Sequence, residues 1–83
     1  MYLAIKDVKP QSDYKLLLTF ENEEVKVFDV SQYLSIGKFS ELKDISMFNS
    51  VKVSFDSIEW ANHLDLGPEL LYNKSVNLQA GNL

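Results

Sequence analysis

The sequence contains no cysteine and no arginine, and it has only three glycines, two prolines and one tryptophan. Without cysteine, neither disulfides nor thiolate metal sites can stabilise the fold, which excludes zinc ribbons and small secreted disulfide scaffolds. Three glycines are too few for a glycine-rich phosphate cradle, and the chain has no phosphate loop, dinucleotide fingerprint or nucleophile elbow. We therefore expect no catalytic residues, no cofactor and no metal ion, and we predict that the protein is not an enzyme.

The absence of arginine also bears on binding partners. All eight basic residues are lysines, they are scattered singly, and the net charge is −4. Arginine makes the forked contacts to guanine edges and phosphates, and nucleic-acid-binding proteins carry a basic stripe. We therefore expect no direct contact with nucleic acid. An acidic protein is suited instead to a small, basic protein partner, and a homodimer is the alternative.

Long apolar runs are absent as well. No stretch approaches the roughly 18 residues of a membrane-spanning helix. The first ten residues lack the basic start and the small-residue cleavage site of a secretory signal. A chain of 83 residues, of which 46% are hydrophobic, suits one small domain. We expect a single compact domain over residues 1–76, a flexible tail over 77–83, a cytoplasmic location and no membrane partner.

Three stretches in the first part of the chain predict β-strands, at residues 3–9, 14–20 and 25–30. Asn22 and Glu23 can form a two-residue turn between the second and third strands. That turn would leave three large apolar residues, Leu17, Phe28 and Val30, on the sheet face that is expected to be exposed to solvent. We predict that these residues are covered either by a helix of the same chain or by a partner, which makes them a candidate protein interface.

The rest of the chain predicts short helices and a hairpin. Residues 31–50 favour broken helix, with Asp44 as a helix cap, while Asp29 either caps the first turn or lies at an interface. Alternation from Val51 to Trp60 predicts a hairpin that turns at Asp56 and Ser57. Residues from Pro68 onward predict a closing helix that ends near residue 73. The fold class is therefore α+β, with a small, mostly antiparallel sheet of three strands, short helices, a two-stranded hairpin and a C-terminal helix.

These segments, in this order, carry a family resemblance. The stretch YKLLLTFENEEVKVFDV, the turn Gly37-Lys38-Phe39, the triplet IEW and the stretch DLGPELLY resemble the small bacterial family catalogued as domain of unknown function 2442, over residues 2 to about 75. The resemblance implies a compact α+β domain with no established catalytic residues and no cofactor. Family members often read Trp-Pro-Asn-Gly where this chain has Trp60-Ala61-Asn62-His63, so the loop must turn here without glycine.

The resemblance also bears on function. Members are often encoded beside another small uncharacterised protein, an arrangement similar to a toxin–antitoxin pair, and some longer relatives carry a helix-turn-helix. We therefore expect a non-enzymatic protein-interaction module, the antitoxin-like member of a two-protein system. The alternatives are a homo-oligomeric domain and a DNA-associated regulator subunit.

Two clusters are candidate sites. The first contains His63 with Asp56, Glu59 and Asp65, and it is either a metal or acid–base site or a polar loop; one histidine without a ligand spacing favours the loop. The second pairs Trp60 with Tyr72, as an aromatic recognition patch or as core. In a chain this short, we expect the core.

Overall fold

The computed structural model describes residues 3–77, which form two antiparallel sheets and several short helices. The strands are β1 (Ile5–Gln11), β2 (Lys15–Phe20), β3 (Val25–Asp29), β4 (Lys52–Ser54), β5 (Ser57–Glu59), β6 (Asp65–Leu66) and β7 (Val76–Asn77). The α-helices are α1 (Ile45–Phe48) and α2 (Pro68–Lys74), and 3-10 helices cover Ser12–Tyr14, Ser31–Tyr33 and Gly37–Lys43. Among the described residues, no helix is long and apolar enough to cross a membrane.

The predicted fold class is confirmed. Four strands form one sheet in the order β1-β2-β3-β7, and three form the second in the order β4-β5-β6. The first strand continues through Pro10, where the sequence predicted its end; β1 lies at the edge of its sheet, where proline is tolerated because a donor is not needed on the outer side. Asn77, the first residue of the predicted tail, pairs with Lys26 in the sheet. The rest of the predicted tail, residues 78–83, lies outside the described residues.

The turn between β2 and β3 differs from the prediction and changes the register of the sheet. The Phe20 amide donates to the Glu24 carbonyl at 2.9 Å, so the loop has three residues instead of two. Its last residue, Glu23, adopts a left-handed backbone with φ of 72°, as expected for a three-residue hairpin loop with a bulge. Leu16 therefore lies opposite Phe28, and Val25 lies opposite Thr19, whereas the predicted two-residue turn would place Val25 opposite Phe20.

This shift moves every side chain of β3 to the other face of the sheet. Phe28 and Val30 are 0% exposed in the core, while Leu17 lies on the outer face and is half-buried. The prediction that Leu17, Phe28 and Val30 share one face is wrong. The outer face carries Leu17 with Val27, and next to them Val76 of β7, which is 64% exposed.

The inner face of the larger sheet, the hairpin and the helices share one core. Its fully buried side chains are Leu16, Leu18, Phe20, Phe28, Val30, Leu42, Phe48, Ile58, Trp60 and Leu71. Trp60 is 1% exposed, and its indole N–H donates to the Phe48 carbonyl at 3.1 Å. The structure therefore places Trp60 in the core, as expected, and not in a recognition patch.

A polar cluster fastens α2 to the sheet. Lys26 occupies a core-side position of β3 and is 8% exposed. Its ammonium group donates to the Tyr72 carbonyl at 2.8 Å and lies 3.8 Å from the centroid of the Tyr72 ring. The Tyr72 hydroxyl donates to Glu24 Oε1 at 2.6 Å. This hydrogen bond and one from the Asn22 amide lower the pKa of Glu24, and the bond to Glu24 raises the pKa of Tyr72.

These shifts predict a pH-dependent contribution from the Tyr72 hydroxyl. A lowered folded-state pKa stabilises the fold above the ordinary carboxyl value, and that stabilisation is lost as the pH falls through the folded value. The raised pKa of Tyr72 contributes below the ordinary phenol value and is lost as the pH rises through its folded value. We expect Tyr72→Phe to lower the free energy of unfolding at neutral pH, and the difference from wild type to shrink in acid and in strong alkali.

Urea unfolding of both proteins across this pH range measures the effect. Tyr33→Phe is the matched control, because the Tyr33 ring stacks on Phe28 but its hydroxyl makes no hydrogen bond within residues 3–77. A difference between Tyr72→Phe and wild type that is the same at every pH would show that the bond to Glu24 does not contribute.

Candidate binding surface at the β4–β5 hairpin

The most exposed large apolar side chain of the described residues is Phe55. The exposed apolar residues are Ile36, Ile45, Val53, Phe55, Leu70 and Val76, and among them Phe55 is 99% exposed while the next, Val76, is 64% exposed. Single exposed apolar residues are common on proteins. An aromatic ring with nearly its whole surface in water is less common, since rings usually bury most of their area.

Phe55 lies at the tip of the β4–β5 hairpin, because the turn begins one residue earlier than the sequence predicted. Ser54 pairs with Ser57, so the two turn residues are Phe55 and Asp56, not Asp56 and Ser57. Val53 therefore lies opposite Ile58, whereas the predicted turn at Asp56 and Ser57 would place it opposite Trp60. The φ angles of Phe55 and Asp56 are 47° and 71°, as in the turn that usually carries Asn-Gly. The Ile5 amide donates to the Asp56 carbonyl at 2.9 Å and so links the tip to β1.

Phe55 does not stabilise the fold at this position. A left-handed backbone costs a residue with a side chain about 1–2 kcal/mol, and a bulky ring gains none of the tolerance that asparagine has there. Its exposed ring buries no apolar area in return. Strained residues of this kind are concentrated at functional sites, which makes the tip a candidate site.

A shallow groove of about 570 Å³ lies beside the ring. Its apolar lining comes from Ile58, Leu66 and Pro68, and its carboxylates come from Glu59 and Asp65. We call Phe55 together with these five residues the Phe55 surface. The groove is held together by β5–β6 pairing and by the Ser57 hydroxyl, which donates to the Leu66 carbonyl.

The two carboxylates of the groove differ in their contacts. Glu59 accepts a hydrogen bond from the Ser54 hydroxyl at 3.2 Å, and its other oxygen lies 3.5 Å from His63 Nδ1. Asp65 is exposed, and within residues 3–77 its carboxylate makes no hydrogen bond or ion pair. The groove therefore offers one fixed carboxylate and one that is available to a ligand.

The negative charge of the chain is concentrated in the stretch of sequence that contains this surface, and Lys52, just before that stretch, lies opposite Glu59 in the hairpin. Residues 53–73 contain four acidic residues and no lysine. The other eight acidic residues are balanced by the eight lysines of the rest of the chain, so the whole net charge of −4 arises from residues 53–73. This segregation is visible in the sequence, and it is the signal by which the surface could have been found.

The predicted His63 cluster does not come together as one site. His63 has a side chain that is 86% exposed, Asp56 lies in the hairpin turn and Asp65 lies in β6. Within the described range, no group of three or more His, Cys, Asp or Glu side chains is placed to hold a metal ion. His63 takes the left-handed position, with φ of 69°, and so replaces the glycine that the resemblance implies for this loop.

A family model described as "Protein of unknown function (DUF2442)" matches residues 5–77. No curated protein matches the chain. A crystal structure described as "putative DNA binding protein NE0471" from Nitrosomonas europaea is similar in fold, with a TM-score of 0.78 and 25% sequence identity. The similarity covers 98% of this chain and 53% of the other, so this chain spans about half the length of that protein.

The structural neighbour corrects the expectation about nucleic acid. We expected no direct nucleic-acid contact because the chain is acidic and lacks arginine, and a neighbour described as DNA binding contradicts that exclusion. Lysine alone can neutralise phosphates, and the charge of one domain does not report the charge of a longer protein that contains it. The comparisons also lend no support to a small basic partner protein or to a homodimer. The match over residues 5–77 does settle the family: the chain belongs to the DUF2442 family of proteins of unknown function.

Proposed function

We propose that the chain is a non-catalytic binding module of a DNA-associated assembly and that it binds through the Phe55 surface. The observation that carries the proposal is the 99% exposure of Phe55 in a left-handed turn. A ring that is costly to the fold but fully accessible suits the centre of an interface, where aromatic anchors supply most of the binding free energy. The neighbour described as DNA binding supports the association with DNA.

The arrangement of polar groups near the groove supports binding instead of catalysis. Ser54, Glu59 and His63 are neighbours, but the carboxylate lies between the serine and the histidine. In serine hydrolases the histidine lies between the other two, because it must take the proton from the serine hydroxyl. Here His63 is not placed to activate Ser54. An antitoxin-like role stays a prediction, since neither the description of the family nor that of the structural neighbour names a toxin or an antitoxin.

Retention on DNA-cellulose tests the proposed function. The tagged chain is added to a lysate of the organism that encodes it, and the lysate is passed over the column with and without nuclease treatment. We expect wild type to be retained in a nuclease-sensitive way and Phe55→Ser to be lost from the bound fraction. The purified chain, run alone, separates direct contact with DNA from contact through another protein.

Ile45→Ser is the matched control, because Ile45 is also an exposed apolar residue, at 55%, and is not part of the Phe55 surface. We expect this variant to be retained like wild type. If wild type is not retained, or if Phe55→Ser is retained equally well, the proposal is refuted.

A further inference from the structure

We infer that the Phe55 surface recognises an extended, cationic peptide segment in which apolar residues alternate with basic ones. This inference rests on the proposed function, because it names the chemistry of what the same surface binds. Three properties of the surface carry it: the carboxylates of the groove, the apolar lining of the groove, and the free edge of β6, which is one of the strands that line it.

The negative charge of the groove indicates that its ligand is positively charged. Glu59 and Asp65 line the groove, and Asp56 and Glu69 belong to the same lysine-free stretch of the sequence. A cationic segment would meet complementary charge at the two carboxylates of the groove, which raises association rates and selects among partners. The exposed carboxylate of Asp65, which lacks a partner within residues 3–77, is the contact we expect a lysine or arginine to make.

The apolar lining indicates that the ligand also carries apolar side chains. Ile58, Leu66 and Pro68 line the groove together with Phe55. In an extended segment, neighbouring side chains point to opposite sides, but long basic side chains can reach back to a groove wall while their apolar neighbours face the apolar lining. A segment of mixed basic and apolar residues can therefore pack against the apolar lining and pair with the carboxylates at the same time.

The position of β6 favours an extended segment over a helix. Within the described residues, β6 is the outer strand of the order β4-β5-β6. Edge strands offer free backbone donors and acceptors to an added strand, which is a common mode of peptide recognition. Duplex DNA and a second copy of this chain are both negatively charged and would be repelled by the same surface. Binding of either one through this surface would overturn the inference.

Fluorescence anisotropy with a labelled peptide of alternating lysine and leucine tests the inference on the purified chain. We expect binding that weakens as salt is raised, and that weakens by roughly tenfold or more in Phe55→Ser, as for a central anchor residue. Glu59→Gln combined with Asp65→Asn should weaken it similarly. Peptides with glutamate in place of lysine, or serine in place of leucine, should not bind.

Unchanged binding of the lysine–leucine peptide to Phe55→Ser overturns the inference, as does equal binding of the glutamate peptide. Preferred binding of duplex DNA, or a dimer that depends on Phe55, overturns it as well. Phe55→Asn suits the turn and serves as a second variant should Phe55→Ser fold poorly.

The two proposals fail separately. If DNA-cellulose retention depends on Phe55 but the peptide does not bind, the inference is wrong and the proposed function stands. If the peptide binds through Phe55 but no retention is seen, the surface recognises cationic segments outside any DNA-associated assembly.

Discussion

Replacing Phe28 with alanine is expected to lower the free energy of unfolding by about 3–5 kcal/mol, the usual cost of removing a buried phenylalanine. Phe28 is 0% exposed, and its ring stacks on Tyr33 with centroids 5.8 Å apart. Leu17→Ala is the matched comparison on the outer face. Leu17 is half-buried there, so we expect a loss of about 1 kcal/mol, in proportion to the smaller area it buries.

Urea unfolding followed by circular dichroism measures both variants. The comparison reports directly on the three-residue loop at Glu21–Glu23, because a two-residue loop would place Phe28 on the outer face. A larger loss for Leu17→Ala than for Phe28→Ala would contradict the register described here.

Trp60→Ala is expected to have an effect of similar size, about 3–5 kcal/mol. Small domains have total stabilities of about 5–15 kcal/mol, so this variant should be close to unfolding at room temperature. Trp60 is 1% exposed and links β5 to the end of α1 through the Phe48 carbonyl. Trp60→Phe keeps most of the ring and removes the donor, so we expect a smaller loss of about 1–3 kcal/mol from the unpaired carbonyl.

Thermal and chemical denaturation of the two Trp60 variants separates the packing of the ring from its hydrogen bond. Equal stability of Trp60→Phe and wild type would show that the bond to Phe48 contributes nothing. A mild effect of Trp60→Ala would contradict the placement of Trp60 in the core.

The sequence predicted those elements whose signals are local. Asp44 caps α1, with its side chain accepting from the Ser46 amide at 3.0 Å, and Pro68 is the first residue of α2. Asp29 also caps the following turn, accepting from the Ser31 amide at 2.9 Å, which resolves its two readings in favour of the cap. Each of these contacts joins residues close in the chain, so residue type and position suffice to predict it.

The turns could not be predicted, because their left-handed positions are not occupied by glycine. Glu23, Phe55, Asp56 and His63 all have positive φ angles. Residue type favours glycine or asparagine at such positions. The sequence therefore predicted a two-residue turn where the β2–β3 loop has three residues, and it placed the β4–β5 turn one residue too late. In β3 this error reversed the faces of the strand, and at the β4–β5 hairpin it left Phe55 in a strand.

The two shortest strands were missed for a different reason. The strands β6 and β7 contain two residues each, which is too short for an alternating pattern. Their pairing with β5 and β3 depends on contacts made by the folded chain. The groove of the Phe55 surface involves β6, so its geometry could not be predicted either, although the lysine-free stretch that surrounds it could have been noticed.

Phe55→Asn tests the central claim most directly, that Phe55 is exposed for binding and not for stability. Asparagine tolerates the left-handed backbone, so we expect the free energy of unfolding to stay the same or to rise by about 1 kcal/mol. Retention on DNA-cellulose from the lysate should be lost in the same protein. A clear loss of stability, or retention equal to wild type, would contradict the account.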